Sequence, residues 1–342
     1  MAEVRFDHVS KQFPGLERPA VDDCHFTVND GEFIVLLGPS GCGKTTLLKM
    51  VNRLYEPSAG TIYLDDQDIR QRNVTQLRRQ IGYVIQQVGL FPHMTVAQNI
   101  SVVPSLLGWP PARTRTRVEE LLTLVDLPPA QYGHRYPAQL SGGQQQRVGV
   151  ARALAGDPSL ILMDEPFGAV DAITRTSLQD EMIRLQRRLH KTILFVTHDV
   201  DEALRLADRI VIMRAGKVIQ YDTPIAMLSQ PADAFVNELV GGDDMVRQLG
   251  LVRVESAMGP LPTPFHLAGQ PTVACDQNLR EALSRLLRTN APALVVLDDQ
   301  QPIGLLTLAD ISATTQNSNQ DGSRDDAALV ADRGWQEASR VG

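Results

Sequence analysis

The stretch Gly38-Pro39-Ser40-Gly41-Cys42-Gly43-Lys44-Thr45 combines glycines, a lysine and a hydroxyl at a spacing suited to cradling phosphate. Glycines let successive backbone N–H groups curl around an anion, and a helix that follows adds the positive end of its dipole. In such a loop Lys44 reaches the β- and γ-phosphates of a nucleotide, Thr45 ligates Mg²⁺, and Thr46 adds an α-phosphate contact. Taken alone, the stretch is also a glycine turn with an incidental lysine, so its placement between a strand and a helix is the deciding test. Cys42 is a spacer whose backbone N–H is in use or, if its thiol is exposed at the helix N-terminus, a reactive cysteine.

A second candidate is Leu160-Ile161-Leu162-Met163-Asp164-Glu165, an apolar run ending in two carboxylates. Downstream of a phosphate loop, this is where Asp164 would serve Mg²⁺ and Glu165 would orient the attacking water or accept its proton. A positioned base contributes about 10² to 10⁴ in rate. By itself, Asp-Glu before Pro166 fits a solvated turn equally well.

These groups need elements to hold them. Between Val4 and Asp30 apolar and polar residues alternate, as at Phe26 and Val28, which predicts antiparallel strands. The Asp30-Gly31 turn leads into the buried run Phe33 to Leu37, and Leu47, Leu48, Val51 and Leu54 then repeat at helical spacing. Leu160 to Met163 and Ile193 to Thr197 read as further buried strands, separated by a helix with Leu178, Met182, Leu185 and Leu189 on one face. The pattern is that of a layered α/β domain. Residues 92 to 140 carry proline, glycine and helix-like stretches such as Val118 to Val125, as expected of a helical insertion.

The chain has 342 residues, long for one core, with 43% hydrophobic and 21% charged residues and a net charge of -7. That balance offers no electrostatic basis for nucleic acid as a partner. Cys24, Cys42 and Cys275 lack paired spacing for zinc or disulfides, which fits a reduced compartment. The first residues lack a secretory pattern, and the apolar runs fall far below the roughly 20 residues needed to span a bilayer, so any membrane role is expected to be peripheral.

Leu140-Ser141-Gly142-Gly143-Gln144 resembles the signature sequence of the ABC ATPases. In physical terms a serine and glycines ahead of a helix form a second anion-binding N-terminus, or merely a capped helix after a glycine turn. The resemblance assigns Ser141, Gly142, Gly143 and Gln144 to the γ-phosphate of ATP bound by the opposite subunit, and so implies a homodimer that sandwiches two nucleotides. Other motifs of the family align in order over residues 3 to 235. Gln86 resembles the glutamine that touches Mg²⁺ and water and relays nucleotide state to the membrane subunit. His198 resembles the switch histidine at the γ-phosphate, although a lone histidine at a strand end is more often structural. Asp171 matches the loop linking the two sites, where the family more often has Ser and Leu at the positions of Gly168 and Val170. Phe13 matches the aromatic that stacks on adenine, where tyrosine is commoner; otherwise it is a strand residue packing on the sheet.

The resemblance implies an α/β P-loop NTPase fold of the ABC type over residues 1 to 240, with an antiparallel β subdomain and a helical subdomain. The segment from Ile85 to His93 is similar to the ATPases of osmoprotectant importers for glycine betaine, choline, carnitine or proline. This implies transmembrane permease subunits as partners, a periplasmic or lipid-anchored substrate-binding protein indirectly, and a place on the cytoplasmic face of the inner membrane. Amino-acid, polyamine or sulfonate import stays open, because a motor domain does not touch cargo. A non-transport ABC ATPase is a lesser alternative, since neither a second phosphate loop nor a sustained heptad pattern is present. The Gly241-Gly242-Asp243-Asp244 break is expected to end the first domain, with residues 241 to 270 a linker. Residues 271 to 312 then resemble one CBS motif, a small α+β unit with Thr307 and Asp310 in its Thr-x-x-Asp pattern, and Val252 to Pro264 is a candidate remnant of a second copy. Residues 313 to 342 are polar and expected to be disordered.

Overall fold

Alternation near the start of the chain resolves into two antiparallel strands, β1 (Val4–Lys11) and β2 (Val21–Val28), in a computed structural model that describes residues 2–86, 89–168, 170, 172–242, 244–261 and 270–313. Phe6 pairs across the strands with Phe26, their rings stacked 4.4 Å apart. Strand β1 bulges after Phe6, and His8, at φ 50°, stacks on His25. Both imidazoles already have carboxylate partners, Asp23 at 2.7 Å for His8 and Asp7 at 3.5 Å for His25.

The apolar run Phe33–Leu37 is buried at every position and forms β3, which leads into helix α1 (Lys44–Val51). The helix stops one turn short of the expected Leu54, which is 45% exposed. Arg53 takes the left-handed conformation at φ 49° and donates to the carbonyls of Ile69 and Arg72, which turns the chain out of the helix. Strands β4 (Ala59–Leu64) and β5 (Gln67–Asp68) complete a four-stranded antiparallel sheet in the order β2-β1-β4-β5. Helix α2 (Val74–Gln80), capped by Asn73, then delivers the chain to β6 (Ile81–Val84).

A helical region follows: α3 (Val96–Leu106), α4 (Pro111–Leu124), α5 (Pro129–Tyr132) and α6 (Gly142–Leu154). Thr95 and Ser141 open α3 and α6 with capping boxes closed by Gln98 and Gln144. Beyond it run β7 (Leu160–Asp164), α7 (Ala172–Leu189), β8 (Thr192–Val196), α8 (Val200–Leu206), β9 (Arg209–Arg214) and β10 (Lys217–Asp222). Leu178, Met182 and Leu185 are buried along α7, the face expected from their spacing. The six-stranded sheet has the order β10-β9-β3-β8-β7-β6, parallel from β9 to β6 and antiparallel at β10. Phe6, Phe26, Leu36, Leu47, Leu162 and Leu194 belong to one buried cluster joining both sheets and α1.

These elements lie in one unit, Met1–Thr223; a second unit begins at Pro224. The division precedes the Gly241-Gly242 pair, where the first domain was expected to end. Gly241, at φ 67°, is instead the left-handed cap that closes α10 (Ala234–Val240), which follows α9 (Pro224–Ser229) and precedes α11 (Met245–Leu251). The second unit has a three-stranded sheet, β11 (Thr272–Ala274) parallel to β12 (Ala293–Asp298), and β13 (Gln301–Thr307) antiparallel to it. Helix α12 (Leu279–Thr289) buries Leu279, Ala282 and Leu286 with Val273, Leu294 and Leu306. Asp299 and Gln300, at φ 41° and 69°, form the tight turn between β12 and β13. Part of the candidate remnant Val252 to Pro264, and residues 314 to 342 of the expected tail, lie outside the described residues.

Leu162 is fully buried at the middle of β7, so Leu162→Ala should lower the unfolding free energy by about 2 to 5 kcal/mol, measured as a shifted midpoint in urea denaturation.

Candidate functional site

The phosphate-loop residues occupy the turn between β3 and α1. Gly38, at φ 151°, admits no side chain: a Cβ there would meet the Met213 carbonyl oxygen at 2.2 Å. Gly43, at φ 110°, is closed off in the same way by the Ala20 carbonyl at 2.3 Å. Gly41 has nothing within 4 Å of such a Cβ, and with Pro39 and Ser40 it forms the exposed rim. Lys44 is 5% exposed, yet its Nζ donates to the carbonyls of Gly38 at 2.6 Å and Pro39 at 3.0 Å rather than to a carboxylate. A buried ammonium solvated by backbone dipoles and set against a glycine rim suits an incoming polyanion.

Five other expected residues meet beside it, in two linked groups. Thr45 Oγ1 donates to Asp164 Oδ1 at 2.8 Å, which ties α1 to the end of β7. Burial pushes the Asp164 carboxyl up from its ordinary range, opposed by the Thr45 hydrogen bond. Next along, Glu165 sits at φ 44° with its N–H bonded to the Val196 carbonyl at 3.0 Å. Its carboxylate takes Gln86 Nε2 on one oxygen at 3.0 Å and faces His198 Nδ1 with the other at 3.3 Å. A non-glycine residue in the left-handed region is strained, and such strain collects at functional sites.

Sheet order explains the convergence. Gln86 follows β6, Asp164 and Glu165 end β7, His198 follows β8, and the glycine loop follows β3, which are neighbours in the order β3-β8-β7-β6. Because the strands run parallel, with Val84 level with Met163 and Asp164 level with Val196, all four segments emerge at one edge. Ligands of open parallel sheets bind at that carboxyl edge.

Residues 21–168 match the ABC transporter family. A choline transport ATP-binding protein of Bacillus subtilis is 51% identical over 297 residues, covering 86% of this chain and 75% of the relative. A glycine betaine/carnitine/choline transport ATP-binding protein from the same organism is 48% identical over 330 residues, or 96% of this chain and 82% of the relative. The chain belongs to the ABC transporter family. A dimeric ATP-binding cassette in a post-hydrolysis state, bound to ADP and phosphate, aligns with a TM-score of 0.58 at 33% identity, over 65% of this chain and 98% of that one. The loop between β3 and α1 is accordingly the candidate nucleotide site of this ABC ATPase.

The remaining residues expected from the ABC motifs are distributed as follows. Phe13 lies just past β1, half-buried, edge-on to Tyr55 at 5.1 Å and with Lys11 Nζ 5.1 Å from its ring. Thr46 is half-buried on the first turn of α1. Ser141 and Gly142 are exposed at the start of α6, Gly143 is buried, and Gln144 bonds back to Ser141 and to the Tyr132 hydroxyl at 3.2 Å. The hydrogen bonds of this signature segment thus stay within the helical region. Asp171 lies outside the described residues. Missed by sequence reasoning was Glu202, a glutamate in α8 that is 5% exposed and accepts from Thr197 Oγ1 at 2.7 Å. Its own neighbourhood in sequence has no spacing that sets it apart; a buried carboxylate is recognisable only once α8 is packed.

Cys42 departs from the reactive reading. It is 5% exposed, with Sγ directed under the loop at 3.8 Å from Lys44 Nζ, because the turn that frees the backbone N–H groups outward sends this side chain inward. Alkylation of Cys42 by iodoacetamide should therefore be slow in the native ABC ATPase and fast in urea, read by peptide mass spectrometry; rapid native labelling would contradict the buried placement.

Proposed function

We propose that this chain is the ATP-hydrolysing motor of a bacterial importer for quaternary-amine osmoprotectants such as glycine betaine or choline, acting as a homodimer beneath transmembrane permease subunits. The observation that carries the motor reading is the Glu165 carboxylate gripped by Gln86 and His198 beside a buried Lys44 in a glycine loop. The cargo reading draws support from relatives whose names specify choline, glycine betaine and carnitine. Among the described residues no helix is long and apolar enough to cross a membrane, which supports a peripheral subunit at the cytoplasmic face. A substrate-binding protein would join the complex through the permease.

Lys44 and the loop N–H groups hold the β- and γ-phosphates, with Phe13 against adenine. Thr45, Asp164 and Gln86 would hold Mg²⁺, which would supply charge neutralisation at the phosphates; Asp164 suits it because burial already disfavours its bare negative charge. Glu165 orients a water and accepts its proton as the water oxygen bonds to the γ-phosphorus and the bond to the β-phosphate oxygen breaks. Gln86 keeps one carboxylate oxygen in place, and His198 turns from the other toward the γ-phosphate. Ser141 to Gln144, exposed and self-capped, complete the site of the opposite subunit across a head-to-tail dimer, and Asp171 belongs to the loop that links the sites. Residues 271 to 312 form a CBS-like appendage in this reading. There Thr307 and Asp310 bond to each other, hydroxyl to carboxylate at 2.6 Å, which supports a packing role over a nucleotide site.

Two variants separate binding from chemistry. Lys44→Ala should weaken ATP binding and abolish turnover, whereas Glu165→Gln should bind ATP, dimerise and lose turnover by about 10² to 10⁴. Cargo is tested by uptake of labelled glycine betaine at low and high osmolarity, in cells lacking other betaine importers and carrying the chain with its own permease. Uptake lost with Glu165→Gln supports motor and cargo together; absent uptake alongside ATPase activity in the purified complex keeps the motor and rejects betaine.

A further inference from the structure

We propose that Arg175 is a positioning residue for hydrolysis, a guanidinium strut that ties the segment after β7 at Val170 to the segment after β8 at Asp199 and so sets the aim of His198 at Glu165. The inference deepens the proposed function and rests on the roles given there to His198 and Glu165.

Arg175 lies on the first turn of α7 and reaches two segments at once. Its Nη2 donates to the Val170 carbonyl at 3.2 Å, and its Nη1 donates to Asp199 Oδ2 at 3.3 Å. Its Nε is buried, without a hydrogen bond, 3.9 Å from Glu202 Oε1. Glu202 is the hub on the other side: it accepts from Thr197 Oγ1 at 2.7 Å and from Gln179 Nε2 at 3.3 Å. Thr197 Oγ1 in turn accepts from the Asp199 N–H at 3.0 Å, and Asp199 Oδ1 caps α8 through the N–H groups of Asp201 and Glu202.

The consequence falls on the residue in the middle. Thr197 and Asp199, the two chain neighbours of His198, are both pinned by this network, while the His198 side chain is 59% exposed and meets Glu165. An imidazole on an exposed side chain keeps a direction only if its backbone is held, and here both flanking residues are held by Glu202 and Arg175. A planar fork of donors can bridge a carbonyl and a carboxylate in fixed directions, which a lysine ammonium cannot reproduce. Ion pairs of this kind are weak evidence for stability, and the role inferred for this one is fixing geometry.

The test is a double-mutant cycle on the full-length protein, with single-turnover ATP hydrolysis as the rate and fluorescent-nucleotide titration for binding. Arg175→Met should slow hydrolysis about tenfold or more with nucleotide affinity unchanged, and Arg175→Lys should not restore the rate. Because Arg175 acts through His198, the Arg175→Met/His198→Ala double variant should be no slower than His198→Ala alone. Multiplicative losses in the double variant would overturn the proposal while leaving the catalytic reading of His198 intact. A His198→Ala protein as fast as wild type would remove both. Should thermal melting show Arg175→Met unfolded, Thr197→Val cuts the same network at the hydroxyl and carries the same expectation of no added loss on His198→Ala.

Discussion

Parallel hydrogen bonding through β3, β8, β7 and β6 is the constraint on which the site depends, because it brings four chain segments out of the sheet at the same height. A one-residue slip between two of these strands would turn the side chains of one strand to the opposite face. Register is held by burial on both faces: Phe33 to Leu37, Leu160 to Asp164 and Thr192 to Val196 are buried at every position. An apolar strand with no exposed face loses stability whichever way it shifts, so the sheet anchors polar groups at its edge while containing few itself.

The edge concentrates charge that would be costly elsewhere. Lys44 and Asp164 are each nearly inaccessible to water, and they meet backbone carbonyls and the Thr45 hydroxyl rather than each other. This leaves the ammonium free for an anion and the carboxyl free for a cation, the two needs of a nucleotide bound with its metal. Glu165 carries the complementary feature of strain, a left-handed backbone fixed by the Val196 carbonyl, so its carboxylate leans toward Gln86 and His198 instead of following the line of β7.

The helical region has a different relation to the site. Ser141 and Gly142 open α6 on an exposed face, with their hydrogen bonds satisfied locally, so the geometry of one chain assigns them no ligand. The solved cassette that aligns with this chain is dimeric, whereas these contacts are those of a single chain. The second unit is built on its own small core around Val254, Leu279 and Leu294, and Thr307 and Asp310, the two residues of its motif reading, bond to each other.

What could be read directly from the chain was whatever depends on neighbours in sequence. The glycine spacing of the phosphate loop, the apolar runs of β3, β7 and β8, and the helical face of α7 are local patterns, and they anticipated the strand-loop-helix setting of Lys44 and the position of Glu165 at a strand end. Local pattern failed where chain direction changed through a distant contact: α1 stops before Leu54 because Arg53 is drawn to Ile69 and Arg72. It left two readings open for Cys42, a spacer or an exposed thiol, because the direction of that side chain depends on a turn packed against Met213 and Ala20. Only the tertiary structure decided that Gln86, Glu165 and His198 share one carboxylate and that Arg175, Thr197, Asp199 and Glu202 form one network. The partners in those contacts come from separate strands, and the order of strands in a sheet follows from how whole elements pack, which residue spacing along the chain does not encode.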